Sequence, residues 1–223
     1  ASALSWRRES GADTLALSAP QRCELFDELC PGGPIGFDGE GHPILLERPG
    51  AIPPARLLEL FSEEDFIRHQ CYRREVFRLY SVANSAQRGK RLYKATVVVD
   101  LRGFGTAHMS RKLIAYLKAL NAVFDANYPE SINKLYIINT PWAFRSLWGL
   151  IKPWLHPITM TKFTIVGFDW RATLAKAGIS LTSGDVPECP PRWCDAMAAV
   201  VGEHDVRSLR RGCSPEQDRL RLA

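Results

Sequence analysis

Apolar positions along the chain follow two rhythms, and each rhythm predicts an element. Residues 134–139 run Lys-Leu-Tyr-Ile-Ile-Asn, a nearly unbroken apolar stretch that suits a strand covered on both faces. Pro141 cannot continue a ladder, so that strand ends near Asn139. A second apolar strand is predicted at residues 163–166, closed by Gly167. Between the two, Phe144, Leu147, Trp148, Ile151 and Leu155 recur at helical spacing, with Leu150 and Trp154 widening the stripe. Pro153 ends or kinks this helix, which carries more aromatic area than a short helix ordinarily needs.

The upstream chain alternates in the same way. Residues 20–30 read as a short helix with Cys23, Phe26 and Cys30 on one face, broken by Pro31-Gly32-Gly33-Pro34. Asp38-Gly39-Glu40-Gly41 is a turn by composition, and residues 43–47 read as the first strand. Ser62 caps a helix, with Asp65 three residues on, Glu63 and Glu64 in its first turn, and Tyr72, Val76, Leu79 and Ala83 on its later face. Residues 84–91 form a polar, basic loop, and residues 95–100 a β-branched strand. Ser110 caps a further helix with Leu113, Leu117, Leu120 and Phe124 on one stripe. After Gly167 a helix reaches about residue 177, residues 178–191 read as a linker, 193–201 as one more helix, and 207–223 as a charged tail. Strand, helix, strand, helix, strand is the alternation of an α/β sheet with parallel pairs.

Composition narrows the function classes. A chain of 223 residues suits one domain and a tail, and buries roughly 70–75% of its unfolded surface. No apolar run approaches the ~20 residues of a membrane span. The six cysteines lack Cys-x-x-Cys pairs and the five histidines are scattered, so no metal site is expected and the thiols read as reduced. Enzyme signatures are missing too. Gly103-Phe104-Gly105 lacks the third glycine of a dinucleotide turn, Gly89-Lys90-Arg91 is no phosphate loop, and there is no Gly-x-Ser-x-Gly elbow. The net charge of +5 comes from small basic groups, Arg73-Arg74, residues 88–94, Arg111-Lys112 and residues 207–211. They read as solvated faces able to meet an anionic leaflet. Because the aromatics sit in apolar runs, not between basic residues, nucleic-acid binding is not expected.

One ordered set of motifs carries more than these patterns. Tyr128-Pro129-Glu130, then Ile137-Ile138-Asn139-Thr140-Pro141-Trp142, then Lys152-Pro153-Trp154-Leu155, then Thr159-x-x-Lys162 resembles the CRAL-TRIO lipid-binding domain of the yeast-type phosphatidylinositol transfer proteins. Asp38-Gly39-Glu40-Gly41-His42-Pro43-Ile44 and Val98-Val99-Asp100-Leu101-Arg102-Gly103 extend the resemblance upstream, and it spans roughly residues 6–176. It implies a mixed, largely parallel β-sheet floor with helices packed on it and an apolar lipid pocket closed by a gate helix. Residues 1–178 would form the lipid-binding domain, and 179–223 a linker, short helix and tail. The Ala-Ser-Ala start, and the lack of a helical lobe before Trp6, read as a cut from a longer protein.

On the residues alone, Glu130 and Lys162 are ordinary charges at strand ends, and the 144–155 stripe is a core helix. The resemblance assigns Glu130, Thr159 and Lys162 to an inositol phosphate headgroup. It assigns Phe144, Leu147, Trp148, Ile151 and Leu155 to the gate over the acyl chains. The chemistry fits: a phosphodiester takes ammonium and hydroxyl donors, and a carboxylate accepts from sugar hydroxyls. Exposing two acyl chains to water would cost about 0.8 kcal/mol for each of ~30 methylenes, so a carrier must cover them. The positions matching the family's choline pocket are Pro34, Leu45, Ala95 and Val97, none with a hydroxyl, while Thr96 and Tyr93 stand nearby. The expected ligand is therefore one phospholipid, phosphatidylinositol first, with no other cofactor. Alternatives are a tocopherol or retinoid, or an adaptor of the same fold that binds a small GTPase or an acidic membrane. The implied setting is cytoplasmic and peripheral at membranes.

Overall fold

The computed structural model describes residues 3–16 and 19–179. The linker, helix and tail expected beyond residue 179 lie outside the described residues. Helices α1 (Ala3–Ser10), α2 (Ala12–Leu15) and α3 (Cys23–Leu29) lead into strands β1 (Gly32–Phe37) and β2 (Pro43–Glu47). Then come α4 (Pro54–Leu60), the long α5 (Glu63–Arg88), β3 (Ala95–Asp100), α6 (Arg111–Asn127) and β4 (Ile132–Ile138). Helix α7 (Trp142–Ile151), α8 (Pro157–Met160), β5 (Phe163–Ile165) and α9 (Arg171–Lys176) complete the described chain.

The five strands lie side by side in chain order. β1 and β2 pair antiparallel, and β2, β3, β4 and β5 pair parallel, which gives the mixed, largely parallel sheet that the motifs imply. Alternation along each strand then assigns the two faces. Leu45, Ala95, Val97, Leu135 and Ile137 join Tyr72, Val76, Phe77 and Tyr80 of α5 and Ala143, Phe144 and Leu147 of α7 in one core. Ile44, Leu46, Val98, Tyr136 and Ile138 point the other way, onto Trp170, Leu174 and Ile179. Both faces are covered, which is why these strands read as continuous apolar runs. A separate cluster of Phe26, Leu57, Phe61, Phe66, Leu113 and Tyr116 joins α3, α4, the start of α5 and α6.

The caps form as the side chains dictate. Ser62 Oγ accepts from Asp65 N at 3.1 Å while Asp65 Oδ2 accepts from Ser62 N at 3.2 Å, a closed capping box at the head of α5. Ser110 Oγ accepts from Leu113 N at 3.2 Å at the head of α6. Several boundaries differ from the sequence reading. The Pro-Gly-Gly-Pro stretch taken as a helix breaker also opens strand β1, which sits at the sheet edge, where proline and glycine are tolerated, with a register shift between Pro34 and Gly36. Helix α5 continues through the expected 84–91 loop to Arg88 and stops at Gly89, whose φ of 60° is left-handed. The polar residues there bond to the helix and the turn beside it. Ser81 Oγ donates to Phe77 O and Ser85 Oγ to Ser81 O, while buried Asn84 donates to Gly41 O at 3.1 Å and accepts from Arg88 Nε at 2.8 Å. Helix α7 ends at Ile151, so Leu155 lies beyond it, after a 3-10 turn over Lys152–Trp154.

A buried ion pair ties the N-terminal helices to the domain. The fully buried Glu75 carboxylate accepts from Arg7 Nη1 at 2.9 Å and Nη2 at 3.0 Å, and from Arg78 Nε at 2.7 Å. Burial pushes the Glu75 carboxyl up, but the hydrogen bonds from Arg7 and Arg78 outweigh it and hold the group below the usual carboxylate range. With the folded value below the unfolded one, the pair stabilises the fold above about pH 4.3 and loses that contribution as pH falls through the folded value. Glu75→Ala is expected to cost about 3 kcal/mol in urea unfolding at neutral pH, because it leaves Arg7 without its buried partner.

Cys23, Cys30 and Cys71 are free and buried. Burial pushes the Cys30 thiol up to about 12 and the Cys71 thiol up to about 11. Both thiols should resist iodoacetamide at pH 8 in the native protein and react at once in denaturant, as mass spectrometry of the alkylated peptides would show.

Candidate functional site

Parallel pairing brings the site together. Lys94 immediately precedes β3, Glu130 stands two residues before β4, and Lys162 immediately precedes β5. Because these three strands are neighbours running the same way, their amino ends line up along one edge of the sheet. Glu130 adopts a left-handed φ of 54° in the turn that delivers β4. Its Oε2 accepts from Lys94 Nζ at 3.0 Å and from Lys162 Nζ at 3.2 Å. Those hydrogen bonds, Lys94 first and Lys162 next, hold the Glu130 carboxyl below its usual range. The carboxylate is open to solvent, whereas the Lys162 side chain is only 17% exposed.

Thr159 reaches the same place through a different element. His156 Nδ1 accepts from Ile158 N at 3.3 Å and so caps the short helix α8, and Thr159 O accepts from Lys162 N at 3.0 Å as the chain turns into β5. Glu130, Thr159, Lys162 and Leu155 all line one open cavity of about 270 Å³, whose inner wall is Arg74, Phe124 and Leu135. The structure therefore brings the three residues of the sequence-derived headgroup set to one cavity.

The gate set is divided. Phe144 and Leu147 are buried in the core beneath α7, and Trp148 and Ile151 pack against that core from its margin. Trp148 lies between Phe144 and Phe163, at ring-centroid distances of 5.8 and 5.5 Å. Of the five, Leu155 is the one in the wall of the cavity that holds Glu130 and Lys162.

A smaller cavity of about 120 Å³ abuts the first, shares Arg74, Phe124, Ile132 and Leu135 with it, and reaches the sheet floor at Leu45 and Val97. Pro34, Leu45, Val97, Leu135 and Phe163 form one row across all five strands. This floor is apolar where a choline pocket of the family would need hydroxyls. The nearby Thr96 offers none to the cavity, since its Oγ1 donates to Asp38 Oδ2 at 2.6 Å, in the turn between β1 and β2. Tyr93 lines a third cavity of about 250 Å³, with Arg74, Arg78 and Tyr128.

Two residues that the structure places at this cavity or its edge escaped the sequence reading. Lys94 was absorbed in a basic group, although its place directly before a strand matches that of Lys162. Arg74 was grouped with Arg73 as a solvated face, and the structure corrects this. Arg73 is buried and donates to Asp27 Oδ1 and Cys30 O, and Arg74 turns into the cavities. The available signal was a second stripe on the same helix: Gln70, Arg73, Arg74 and Phe77 recur at helical spacing and together line the inner cavity.

Comparison with known proteins agrees with this architecture. A family model described as the CRAL/TRIO domain matches residues 30–177. The phosphatidylinositol/phosphatidylcholine transfer protein SFH12 of Arabidopsis thaliana is 28% identical over 194 residues, which cover 83% of this chain and 34% of that protein. The SEC14 cytosolic factor of Eremothecium gossypii is 25% identical over 173 residues, covering 77% of this chain and 56% of that protein. The crystal structure of Sfh5 superposes with a TM-score of 0.60 at 20% identity, covering 77% of this chain and 57% of that one, a likeness of fold. The chain thus spans about a third of SFH12 and somewhat over half of the other two. By the span of the family match and the sheet that underlies it, this chain belongs to the CRAL/TRIO domain family.

Proposed function

We propose that this chain is a lipid-binding module that shields one phospholipid, phosphatidylinositol first, and exchanges it with membranes without catalysing a reaction. The observation that carries the reading is the cavity at the amino ends of β4 and β5, where Glu130, Thr159 and Lys162 meet beside Leu155 and above an apolar floor. Lys162 Nζ and the Thr159 hydroxyl supply donors for a phosphodiester, and Glu130 accepts from inositol hydroxyls. The names of SFH12 and the SEC14 cytosolic factor support lipid transfer and a cytosolic setting.

The cavities are small for a two-chain lipid, since pockets for drug-sized ligands run to about 300–1,000 Å³. Loading therefore requires Phe144 and Leu147 to leave the core with α7, and acyl chains to take up the space. The outer surface near α7 suits a membrane encounter: Trp142 is 77% and Phe168 70% exposed, with Leu150, Ile158 and Ile165 exposed as well. The lipid is the only ligand the reading requires, and the membrane contact is transient.

Native mass spectrometry of the protein purified from cells, with lipid extraction, tests this reading. One phosphatidylinositol per chain is expected. Lys162→Ala and Glu130→Ala should each lower loading from phosphatidylinositol vesicles by about tenfold, as loss of a charge-assisted hydrogen bond implies. The melting temperature should hold, because the ion pair is screened by solvent. A protein that is empty as isolated and stays empty with vesicles overturns the carrier role and leaves the adaptor reading.

A further inference from the structure

Arg74 is a cation that no carboxylate of the described residues meets in an ion pair. The arginines around it are matched: Arg73 to Asp27, and Arg7 and Arg78 to Glu75. No carboxylate of the described residues stands within ion-pair distance of Arg74. Its Nη2 donates to Ser131 Oγ at 3.1 Å, its guanidinium lies 5.1 Å from the centre of the Phe124 ring, and its Nε is shut off from solvent with no hydrogen-bond partner. A partly buried guanidinium in that condition carries a desolvation cost that its serine and ring contacts offset in part, and an anion bound at its Nη atoms would offset more. Burial pushes the guanidinium below its ordinary value, but arginine starts so high that it keeps its proton at neutral pH. Glu47, the acid that lines the inner cavity, attracts it from a distance but makes no hydrogen bond to it, and burial holds the Glu47 carboxyl above the usual range.

The position of this cation gives it a meaning. Arg74 is a wall of all three cavities, and it stands at the seam between the polar outer one, with Glu130 and Lys162, and the inner one floored by Leu45, Val97 and Leu135. The seam of a glycerophospholipid, between its polar headgroup and its apolar tails, is the phosphodiester. A guanidinium is the side chain best shaped to take two oxygens of one phosphate. Lys162 and Lys94 share the Glu130 carboxylate, so among the described residues Arg74 lines this cavity as a cation with no carboxylate in ion-pair reach.

We propose that Arg74 binds the phosphate of the carried lipid and makes the module select phosphate-bearing lipids over uncharged apolar ligands. The inference rests on the carrier reading and adds to it a residue outside the headgroup motif. It also excludes tocopherols, retinoids and diacylglycerol as preferred cargo, because each would leave Arg74 unpartnered beside an apolar tail.

The test uses the full chain, R74M and R74K, each incubated with vesicles containing phosphatidylinositol, phosphatidylcholine and diacylglycerol in equal amounts and read by native mass spectrometry. Wild type should load phospholipid in preference to diacylglycerol. R74M should lose that preference by about tenfold or more, and R74K should keep an intermediate part of it. R74M should melt no lower than wild type, because it replaces a half-partnered, partly buried charge with an unbranched apolar side chain. An R74M protein with undiminished preference for phospholipid, while wild type loads normally, overturns the assignment of Arg74 and leaves the carrier reading standing. Wild type that loads no lipid of any kind overturns both. A third arm uses water-soluble glycerophosphoinositol. If it raises the melting temperature of wild type but not of R74M while vesicle loading is equal in the two, Arg74 serves a free phosphate ester and the lipid assignment is overturned.

Discussion

The parallel register of β3, β4 and β5 is the constraint on which the rest of the molecule depends. Val97, Leu135 and Phe163 lie in one row, and that row decides both what packs and what lines the cavities. A slip of one residue in β4 would turn Leu135 and Ile137 to the side of α9 and bring Tyr136 and Ile138 under α7. It would also move Glu130 away from the ammonium groups that precede β3 and β5. Core and site are therefore held by the same hydrogen-bonded ladder, and the apolar cost of a slip protects the polar edge. At the carboxyl ends a second device fixes the register. Buried Asp100 accepts from Asn139 Nδ2 at 2.7 Å and from Arg102 N at 2.9 Å, and Asn139 Oδ1 accepts from Trp170 Nε1 at 3.0 Å.

Charge is handled in opposite ways at the two flanks of α5. Toward the N-terminal helices every named arginine meets an acid, and the pairs Arg7–Glu75 and Arg73–Asp27 join segments 68 and 46 residues apart. These pairs hold structure, and the acids there are spent on it. Toward the sheet edge Arg74 meets a serine and an aromatic ring. A domain that pairs Arg73 and leaves its neighbour half-partnered does not lack acids nearby, since Glu75, which Arg7 and Arg78 share, is the next residue in the chain. The difference lies in where each ends: Arg73 touches the inner cavity but spends its donors on Asp27 and Cys30, whereas Arg74 borders all three cavities with a serine and a ring for partners.

Much of this was legible in the chain. The strand at 95–100, the helices capped by Ser62 and Ser110 and the α/β alternation follow from periodicity and capping chemistry, because those signals are local. Strand β1 was not legible, since Gly-Gly-Pro-Ile-Gly-Phe has no apolar alternation and becomes a strand by pairing with β2. The length of α5 was hidden for the converse reason: Ser81, Asn84 and Ser85 read as loop, and their partners, including Gly41, are fixed by tertiary contact. The site divides in the same way. Glu130, Thr159 and Lys162 sit in motifs with fixed spacing, so the chain itself points to the three that meet at one cavity, whereas Arg74 is more than fifty residues from any of them and is joined to them by the fold alone.

The helix between β4 and β5 shows why a stripe can be read correctly and still mislead. Its apolar positions suggested one role for all five residues, but a helix this greasy has more apolar surface than one face of a sheet can cover. Phe144 and Leu147 satisfy the core, Leu155 falls beyond the helix end and joins the cavity, and Trp142 and Leu150 remain outside. Such a helix is held by one face while another stays exposed to water. In the proposed carrier role the imbalance has a use: a membrane surface covers the outer residues at the moment when acyl chains displace the inner ones. Apolar area is then exchanged for apolar area, and the polar contacts at the sheet edge are left to decide which lipid stays.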